Sequence, residues 1–508
     1  MVTTSKPVIS QFEYVRARFM DRLLASFRFL SNAPLARVSA VIAICSMPAF
    51  FFIARFSVTD PDIWWHLATG RWILQHHAIP RTDPFSAYGI GKEWINYSWA
   101  FDVVVEWFYR WFGFVGIVLY QIIVQLVLAI ALFHLVRSLL PHFWRSIAVT
   151  ALGLFALDYI VGPRPGMLTV FFAILELGIL LSVRRTGNTR RLWALPPMLL
   201  LWANWHIQFV YGLMLLGVFA TEPILNRILL RGEVQKPAAP SKSFWIALLA
   251  SVFATCVNPA GPFVYSIVLE LMHQPKVYAL VDELRSMSFR SPQHYVAMFL
   301  ALGAAMAIGW RRDRRLLWPI LLSISAIVAF RSVKEIWFLA TISTCAIADG
   351  WVFGHIRVRP LFSFRERLLV AVGILAVLVI GWRRYDLSSA WVEMGVAGNF
   401  PEVASQYIEK HRLQGPLFND FNWGGFLIWR LPGLPVAMDG RTNVHDDESV
   451  AHSLAVWNGK PEWAQDPELA SAKIILAKKT TALASILRLD PRFKIVFEDQ
   501  QAILFQPR

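Results

Sequence analysis

The chain has 508 residues, of which 56% are hydrophobic and 16% are charged, and its mean hydropathy is +0.48. This composition excludes an ordinary soluble globular enzyme and predicts a polytopic α-helical membrane protein. The formal net charge of +15 would suit a nucleic-acid-binding protein. However, the arginine clusters fall in alternate loops between apolar runs, so the charge indicates membrane topology and no nucleic-acid partner.

Eleven apolar runs are long enough to be transmembrane helices, which need about 20 mostly apolar residues. They lie at 36–55, 114–136, 146–162, 166–183, 193–207, 208–225, 243–258, 294–310, 316–331, 336–352 and 367–382. Prolines and polar residues interrupt the pair at 193–225, namely Pro196, Pro197, Asn204, His206 and Gln208. Bent backbone at membrane depth is tolerated where it lines protein or water, so we expect that environment here.

We expect the protein to lie in a bacterial inner membrane. The arginine clusters follow the positive-inside rule and place the N-terminal segment 1–35 in the cytoplasm. An odd number of spans then places the hydrophilic tail, 383–508, outside. Cys45, Cys256 and Cys345 fall within or near predicted spans, so we expect core thiols and no disulfide framework. Glu176 lies inside a predicted span and should therefore face the bundle interior and have a partner.

The first outer loop, 56–113, begins with two acids at the water boundary, Asp60 and Asp62. A structural interpretation makes Asp60 the N-cap of a surface helix, with Pro61 at its first position and Asp62 near the positive helix end. A functional interpretation places a carboxylate beside an outer cavity that holds a lipid-linked donor. His66 and Arg71 either join that site or face interfacial lipid phosphates.

The same loop predicts two helices, at 63–76 and 98–112, separated by a turn-rich stretch. Tryptophans on their apolar faces are typical of helices that lie in the membrane interface. Asp83, within the turn-rich stretch, is predicted to be a turn residue.

Cationic side chains are predicted on the same outer face, in loops that are distant in sequence. They are Arg164 in the turn 162–166, His206 in the interrupted pair, and Arg331 and Lys334 at a later helix junction. Arginine suits bidentate binding of a phosphate and lysine acts as a point charge, so these residues fit an anionic headgroup. The alternative is that they pair with neighbouring acids, as Arg331 would with Glu335 one helical turn away.

The tail predicts a small α/β domain, with helices at 400–412 and 447–457. β-like runs lie at 416–418, 435–438, 474–477 and 493–505, the last as a hairpin. Two segments, 419–425 and 438–442, each follow a predicted strand, where α/β sheets present ligand-binding loops. Their candidate substrate-binding residues are Asp420, Trp423, Asp439 and Arg441, and the alternative is turn chemistry and interdomain packing.

Three motifs carry a family resemblance: DPDIWWHLATGR from Asp60, NDFNWGGFLIW from Asn419, and MDGRT from Met438. They resemble the GT-C superfamily of polyprenyl-phosphate-dependent glycosyltransferases, in the bacterial mannosyl-, aminoarabinosyl- and galacturonosyl-transferase-like group. The resemblance implies a GT-C-like transmembrane domain over 36–382 and a catalytic carboxylate in the first loop. The aminoarabinosyl-transferase pattern has Asp-Glu where this chain has Asp-Pro-Asp, so both Asp60 and Asp62 stay candidates.

The resulting hypothesis is an inverting hexosyl- or pentosyl-transferase of the outer face. A sugar would pass from a polyprenyl-phosphate donor to an envelope lipid, glycan or protein, with an aspartate as general base. Cations would stabilise the departing phosphate; the candidates are Arg71, Arg164, His206, Arg331 and Lys334. A divalent cation, Mg²⁺ or Mn²⁺, would be able to bridge carboxylate and phosphate, but no cluster demands one. The alternatives are a transporter or flippase of a lipid-linked glycan and a non-catalytic envelope scaffold.

Overall fold

The computed structural model describes residues 34–55, 60–230, 240–311, 315–351, 362–385 and 387–508. The predicted cytoplasmic segment 1–35 therefore lies outside the described residues, except for its last two positions. Residues 56–59, at the start of the first loop, also lie outside them.

The N-terminal three quarters of the chain form a helical bundle in which each predicted span coincides with a helix. The helices are α1 (Pro34–Arg55), α2 (Asp62–His76), α3 (Trp99–Phe112), α4 (Phe114–Leu139), α5 (Phe143–Leu157), α6 (Gly166–Thr186), α7 (Leu195–Trp205), α8 (Val210–Leu229), α9 (Lys242–Thr255), α10 (Val264–Met272), α11 (Pro275–Leu280), α12 (Pro292–Gly309), α13 (Leu317–Arg331), α14 (Ile336–Gly350) and α15 (Phe364–Arg384). Among the described residues, five of these are long and apolar enough to cross a membrane by length and composition: α1, α4, α5 and α6, and α8 with its preceding turn. The count of eleven spans stays a prediction.

The interruption predicted within 193–225 is confirmed. Helix α7 ends at Trp205, His206 takes an extended conformation with φ −159° and ψ 141°, and a single turn leads into α8. Glu176 on α6 faces the bundle interior as expected, and its side chain is fully buried. The partner predicted for it is not formed, because neither carboxylate oxygen has a hydrogen-bond partner among the described residues.

Two of the three cysteines are buried as expected, Cys45 and Cys345, whereas Cys256 is half-buried. All three are free thiols.

The two helices of the first loop are confirmed as α2 and α3, but they differ in what their apolar faces contact. Trp64 of α2 is fully buried and packs edge-on against Phe114, Phe400 and Phe426, with ring centroids 5.9, 5.2 and 5.2 Å away. The apolar face of α2 therefore contacts protein. The exposed tryptophans of this loop belong to α3, where Trp107 and Trp111 project from the surface.

The tail combines helices with a small mixed sheet. Its elements are α16 (Ser389–Asn399), α17 (Glu402–Lys410), β1 (Leu417–Asn419), α18 (Phe421–Arg430), α19 (Asp447–Trp457), α20 (Pro467–Ser471), β2 (Ile474–Lys478), α21 (Ala482–Leu489), β3 (Phe493–Glu498) and β4 (Ala502–Pro507). The strand order is β1-β2-β4-β3, with β1 parallel to β2 and the other pairs antiparallel. The predicted terminal hairpin is confirmed as β3–β4. The predicted strand at 435–438 is reduced to bridges at Val436.

Those bridges join the tail to the first loop. Val436 pairs in parallel with Leu417 of β1 and with Ser86 of the first loop. The amide of Ala87 donates to the carbonyl oxygen of Val436 at 2.7 Å. A single hydrophobic core also runs from Val41 in α1 through α2 and α18 to Leu504 in β4. The tail is thus packed directly on the segment that carries Asp60 and Asp62.

The segment 419–425, expected to be a ligand-facing loop, mostly belongs to helix α18. Asp420 precedes this helix and accepts a hydrogen bond from the amide of Asn422 at 3.0 Å. The two glycines are needed for close packing: a Cβ on Gly424 would lie 1.9 Å from the carbonyl oxygen of Met438, and one on Gly425 would lie 2.6 Å from that of Pro61. At Gly424 and Gly425 the absence of a side chain lets other segments pack closely against α18, whereas the sequence interpretation attributed these glycines to a turn.

Candidate active site

Asp60 and Asp62 meet Arg164 at one end of the bundle. Arg164 lies in the turn between α5 and α6 and donates through Nε to Asp60 Oδ2 at 2.5 Å and through Nη2 to Asp60 Oδ1 at 3.1 Å. Its Nη2 is 3.6 Å from Asp62 Oδ2. Asp60 also accepts a hydrogen bond from the amide of Asp62 at 3.0 Å, so it satisfies the first turn of α2 as the structural interpretation expected. The helix itself begins one residue later than that interpretation has it, at Asp62.

Glu283 connects this cluster to a second cation, Lys334. Glu283 accepts from Arg164 Nη1 and, through its other oxygen, from Lys334 Nζ at 3.1 Å. Burial alone would raise the pKa of Glu283, but Lys334 and Arg164 outweigh it and hold that pKa at about 2. Glu283 is not among the residues that the sequence analysis proposed for the site. Its two cationic partners stand 119 and 51 positions away, which leaves no local signal.

The two aspartates differ in their surroundings. Asp60 is held on both oxygens by Arg164, and its side chain is 13% exposed, whereas that of Asp62 is 24% exposed. Burial raises the pKa of Asp62 to about 6; Arg164 opposes this shift, and the negative charges of Asp60 and Glu283 add to it. A carboxylate with such a pKa is a stronger base than an ordinary aspartate and is still largely ionised at pH 7.

A cleft of about 440 Å³ opens beside Asp60. Its polar lining includes Asp60, Asp158, Arg164, Glu283, Lys334 and Gln208. Its apolar wall includes Phe51, Phe52, Ile117, Val161, Met167 and Trp337. We call it the first cleft.

A second cleft, of about 390 Å³, lies on the other side of Gln208 and Lys334, since both residues line the two clefts. Its cations are Lys334 and Arg331, and the guanidinium carbon of Arg331 lies 5.2 Å from the centroid of the Tyr278 ring. Its apolar wall includes Met214, Val268, Leu271, Met272 and Val328.

The helix interruption at 206–208 forms part of this second wall, as expected for bent backbone at that depth. His206 lies in the wall and contacts Thr169 Oγ1 through Nδ1 at 2.9 Å. Glu335, which also lines this cleft, accepts hydrogen bonds from Gln208 at 2.8 Å and Trp337 at 3.0 Å. The predicted pair of Glu335 with Arg331 is not formed among the described residues.

His66 and Arg71 point away from both clefts. His66 is buried on α2, with Nδ1 2.5 Å from Asp102 Oδ1, and burial lowers the pKa of this imidazole well below its usual range. Arg71 lies beside Glu106, with 3.8 Å between Nε and Oε1, and its guanidinium carbon is 5.7 Å from the centroid of the Trp429 ring. Neither residue lines the first or the second cleft, so their predicted contact with substrate stays a prediction.

The four tail residues predicted to bind substrate are buried at the junction with the first loop. Trp423 belongs to the common hydrophobic core, and Asp420 is the N-cap of α18. Arg441 is completely buried and donates to Asp83 at 2.8 Å and to Asp439 at 2.7 and 2.8 Å. The Arg441 guanidinium carbon lies 4.6 Å from the centroid of the Trp94 ring. The side chains of Arg441 and Asp439 therefore face each other, and the interdomain-packing alternative describes their placement.

Asp83 has both a local and a long-range role. It accepts from the amide of Phe85 at 3.0 Å, which confirms the predicted turn, and it also binds Arg441. The buried group of Arg441, Asp83 and Asp439, which we call the junction ion group, fixes the backbone on either side of Gly440. A Cβ on Gly440 would lie only 2.3 Å from Asp62 Oδ1, so this backbone is in direct contact with the candidate base. The MDGRT motif thus affects the site by holding the backbone at Gly440 against Asp62.

The arrangement does not form a ready site for a divalent cation. Asp60, Asp62 and Glu283 converge, but the guanidinium of Arg164 already occupies the space between them. Among the residues that the structure describes, no group of three or more ligating side chains has metal-binding geometry. Mg²⁺ or Mn²⁺ stays a prediction, and no chemical step is derived through it.

Comparisons with known proteins were made at three levels. No family model matches the chain, and no curated protein matches it. The oligosaccharyltransferase of Archaeoglobus fulgidus, solved with a tethered acceptor peptide, superposes with a TM-score of 0.52 at 10% identity, covering 87% of this chain and 69% of that one. The same enzyme, AglB, with an inhibitory peptide and a dolichol-phosphate gives 0.49 at 9% identity, with the same coverage of 87% and 69%.

ArnT from Cupriavidus metallidurans, solved bound to undecaprenyl phosphate, gives a TM-score of 0.48 at 14% identity, covering 92% of this chain and 97% of that one. At such identities a structural likeness shows a shared fold and leaves the reaction to be argued from the site. The chain has the GT-C fold, as the motifs of its first loop and tail led us to expect.

Proposed function

We propose that this protein is an integral membrane glycosyltransferase that moves a hexosyl or pentosyl group from a polyprenyl-phosphate donor to a hydroxyl group of an envelope acceptor. The observation that carries the proposal is the shared wall between the two clefts. Gln208 and Lys334 line both clefts, and Asp60 lines the first. Two substrates bound in the two clefts would thus meet at a cation and a carboxylate.

The second cleft suits the donor. Its aliphatic wall matches a polyprenyl chain, and its cations, Arg331 and Lys334, match an anionic phosphate. The carboxylate that lines it, Glu335, is already occupied by Gln208 and Trp337. The first cleft carries three carboxylates, Asp60, Asp158 and Glu283, against two cations, Arg164 and Lys334, so its charge balance favours a neutral hydroxyl group over a phosphate.

Asp62 is proposed as the general base, and Asp60 as the residue that positions Arg164. Asp62 contacts Arg164, which lines the first cleft, and it also contacts the backbone at Gly440. Two residues beyond Gly440, Thr442 lines the second cleft; Asp62 itself lines neither cleft among the described residues, and its approach to both substrates is part of the proposal. Its raised pKa supports this assignment over Asp60, whose oxygens are both held by Arg164.

In the proposed step, the acceptor oxygen attacks the anomeric carbon of the donor sugar and its proton passes to the Asp62 carboxylate. The bond between the anomeric carbon and the phosphate oxygen breaks, and its electron pair leaves with the polyprenyl phosphate. Lys334 and Arg331 stabilise the added negative charge on that oxygen. Attack from the first cleft on a donor held in the second gives inversion at the anomeric carbon.

The cellular setting is proposed on the same basis. The chain would be a multi-pass inner-membrane protein with its N-terminus in the cytoplasm and its tail outside, as the alternation of arginine-rich loops predicts. Both clefts would then open on the outer side, where polyprenyl-linked sugars meet envelope acceptors. The partners are the lipid bilayer, the lipid-linked donor and an envelope lipid, glycan or protein.

A direct test is mass spectrometry of envelope glycans and lipid-linked sugars in cells with and without the gene. We expect one polyprenyl-phosphate sugar to accumulate in the deletion strain while one envelope modification disappears, and the wild-type gene to reverse both changes. A deletion strain with unchanged pools of every polyprenyl-phosphate sugar and no missing modification would contradict the proposal. Accumulation of the donor on the inner face alone would favour a flippase.

The pH dependence of kcat/KM should follow the ionisation of Asp62. Because the base must be ionised, we expect kcat/KM to fall about tenfold per pH unit below about pH 6 and to level off above it. Asp60→Asn removes a negative charge that raises the pKa of Asp62, so the midpoint should move to lower pH. Arg164→Gln removes a positive charge that lowers this pKa, so the midpoint should move to higher pH.

The matched control is Asp282→Asn, because Asp282 is exposed next to Glu283 and pairs with Arg285 on the surface. It should leave the midpoint in place. Asp62 would be refuted as the titrating base if the midpoints of all three variants moved together. The same holds if the midpoints of Asp60→Asn and Arg164→Gln each moved in the direction opposite to the one expected.

A further inference from the structure

We propose that the end of the bundle opposite the candidate active site holds a second binding site, specific for the headgroup of an anionic phospholipid. A cleft of about 210 Å³ lies there, lined by four arginines: Arg184, Arg185, Arg311 and Arg315. The proposal concerns a different surface from the proposed reaction and does not depend on it.

The distance between the two sites follows from the helices that join them. Helix α14 begins at Ile336, two residues after Lys334, and carries Asp349 of the new cleft near its other end. Its 15 residues span about 22 Å at 1.5 Å per residue. Helix α6 likewise begins beside the first cleft at Gly166 and reaches Arg184 and Arg185 in its last turn. Since α6 is long and apolar enough to cross a membrane, its last turn lies at the level of lipid headgroups.

The charge balance of the cleft favours an anion. Asp349 is the carboxylate that lines it among the described residues, and it already accepts from Arg185 at 2.8 Å, Arg311 at 2.5 Å and Trp318 at 2.7 Å. Arg184 is tied to the buried Glu222 at 2.9 Å. Four arginines against Asp349 and the Glu222 partner of Arg184 leave a net positive charge in the cleft.

Guanidinium groups that are partly buried and converge on one space bind a phosphate through paired hydrogen bonds. The floor of the cleft is apolar, from Leu181, Ile308, Leu317 and the ring of Trp318, and would contact the glycerol and the first methylene groups of a lipid. Basic clefts between membrane helices recognise anionic headgroups in this way. We therefore assign the cleft to a phosphatidylglycerol-type headgroup.

The experiment is native mass spectrometry of the full-length protein in detergent, titrated with phosphatidylglycerol, cardiolipin, phosphatidylethanolamine or phosphatidylcholine. The variants are Arg185→Gln, Arg315→Gln and their double substitution. They spare Arg184, whose loss would leave buried Glu222 without its cation. Each substitution is expected to weaken phosphatidylglycerol binding about fivefold, and the pair about 25-fold, while Arg185→Lys, which keeps the charge but loses the paired hydrogen bonds, should fall between the wild type and Arg185→Gln.

The matched control is Arg190→Gln, an exposed arginine beside the same helix end that does not line the cleft, and it should bind like the wild type. Equal binding of the four lipids to the wild-type protein would overturn the proposal without any variant, and so would equal losses in Arg190→Gln and the cleft variants. Saturable binding of inorganic phosphate that displaces phosphatidylglycerol at comparable concentrations would assign the cleft to a free anion and overturn the lipid assignment.

Discussion

Asp62→Asn is expected to lower kcat about 10²- to 10⁴-fold in proteoliposomes supplied with donor and acceptor, which is the usual contribution of a positioned general base. Asparagine keeps the shape of the side chain and its hydrogen bonds but cannot take a proton. KM for the donor should change little, because the proposed donor cleft is lined by Arg331 and Lys334 on the other side.

Two comparisons make this result specific to Asp62. Asp282→Asn, on the exposed loop, should retain full activity. Asp60→Asn should lose less than Asp62→Asn, because Asp60 acts through Arg164. Wild-type turnover by Asp62→Asn, in protein that is inserted and folded, would exclude the proposed base.

Arg441→Met is expected to destabilise the protein by about 3–5 kcal/mol, because it leaves Asp83 and Asp439 as buried charges without their cation. The cation has a large effect on its partners: despite burial, Arg441 holds the pKa of Asp439 far below its usual range. The readout is the apparent Tm of purified protein in detergent, together with transfer activity, which should fall as the backbone at Gly440 loses its anchor.

The chain contains its own control for this substitution. Asp490 and Arg492 repeat the spacing of Asp439 and Arg441 and form the same local pair, with Nη2 2.7 Å from Oδ2, but on the surface, with side chains 11% and 54% exposed. Arg492→Met should therefore change stability by about 0–1 kcal/mol. Similar falls in Tm for the two variants would show that the junction ion group does not hold the tail to the first loop.

The same pair of motifs shows how far sequence patterns carry. The Asp-x-Arg triplet at Asp439, which follows a predicted strand, was given as a candidate ligand-binding segment, whereas the triplet at Asp490, which follows helix α21, was not. Burial decides between the two, and burial comes from the first loop, whose Asp83 stands 358 positions from Arg441. Alternating arginine-rich loops, by contrast, were enough to place Asp60, Asp62, Arg164 and Lys334 at one end of the bundle, where the structure brings them together.

Helices were predicted better than the contacts between them. Apolar runs and turn signals gave α2, α3 and α19 to within a residue or two, because these depend on local periodicity. Whether Trp64 contacts lipid or protein could not be predicted in the same way. An amphipathic helix has the same sequence pattern whether it packs on lipid or on a neighbouring domain. Glu283 was passed over for a related reason, because only the folded chain brings it between Arg164 and Lys334.

The contact between Gly440 and Asp62 has a consequence for chimeras and truncations. The tail supplies part of the wall around the candidate base, and the residues that fix this wall, Asp83 and Ser86, belong to the first loop. A foreign tail grafted at residue 383 would set unmatched backbone against Asp62, and removal of the tail would open that carboxylate to water. Evolution would then have to exchange the first loop and the tail as one unit, although almost three hundred residues of membrane helices separate them in the gene.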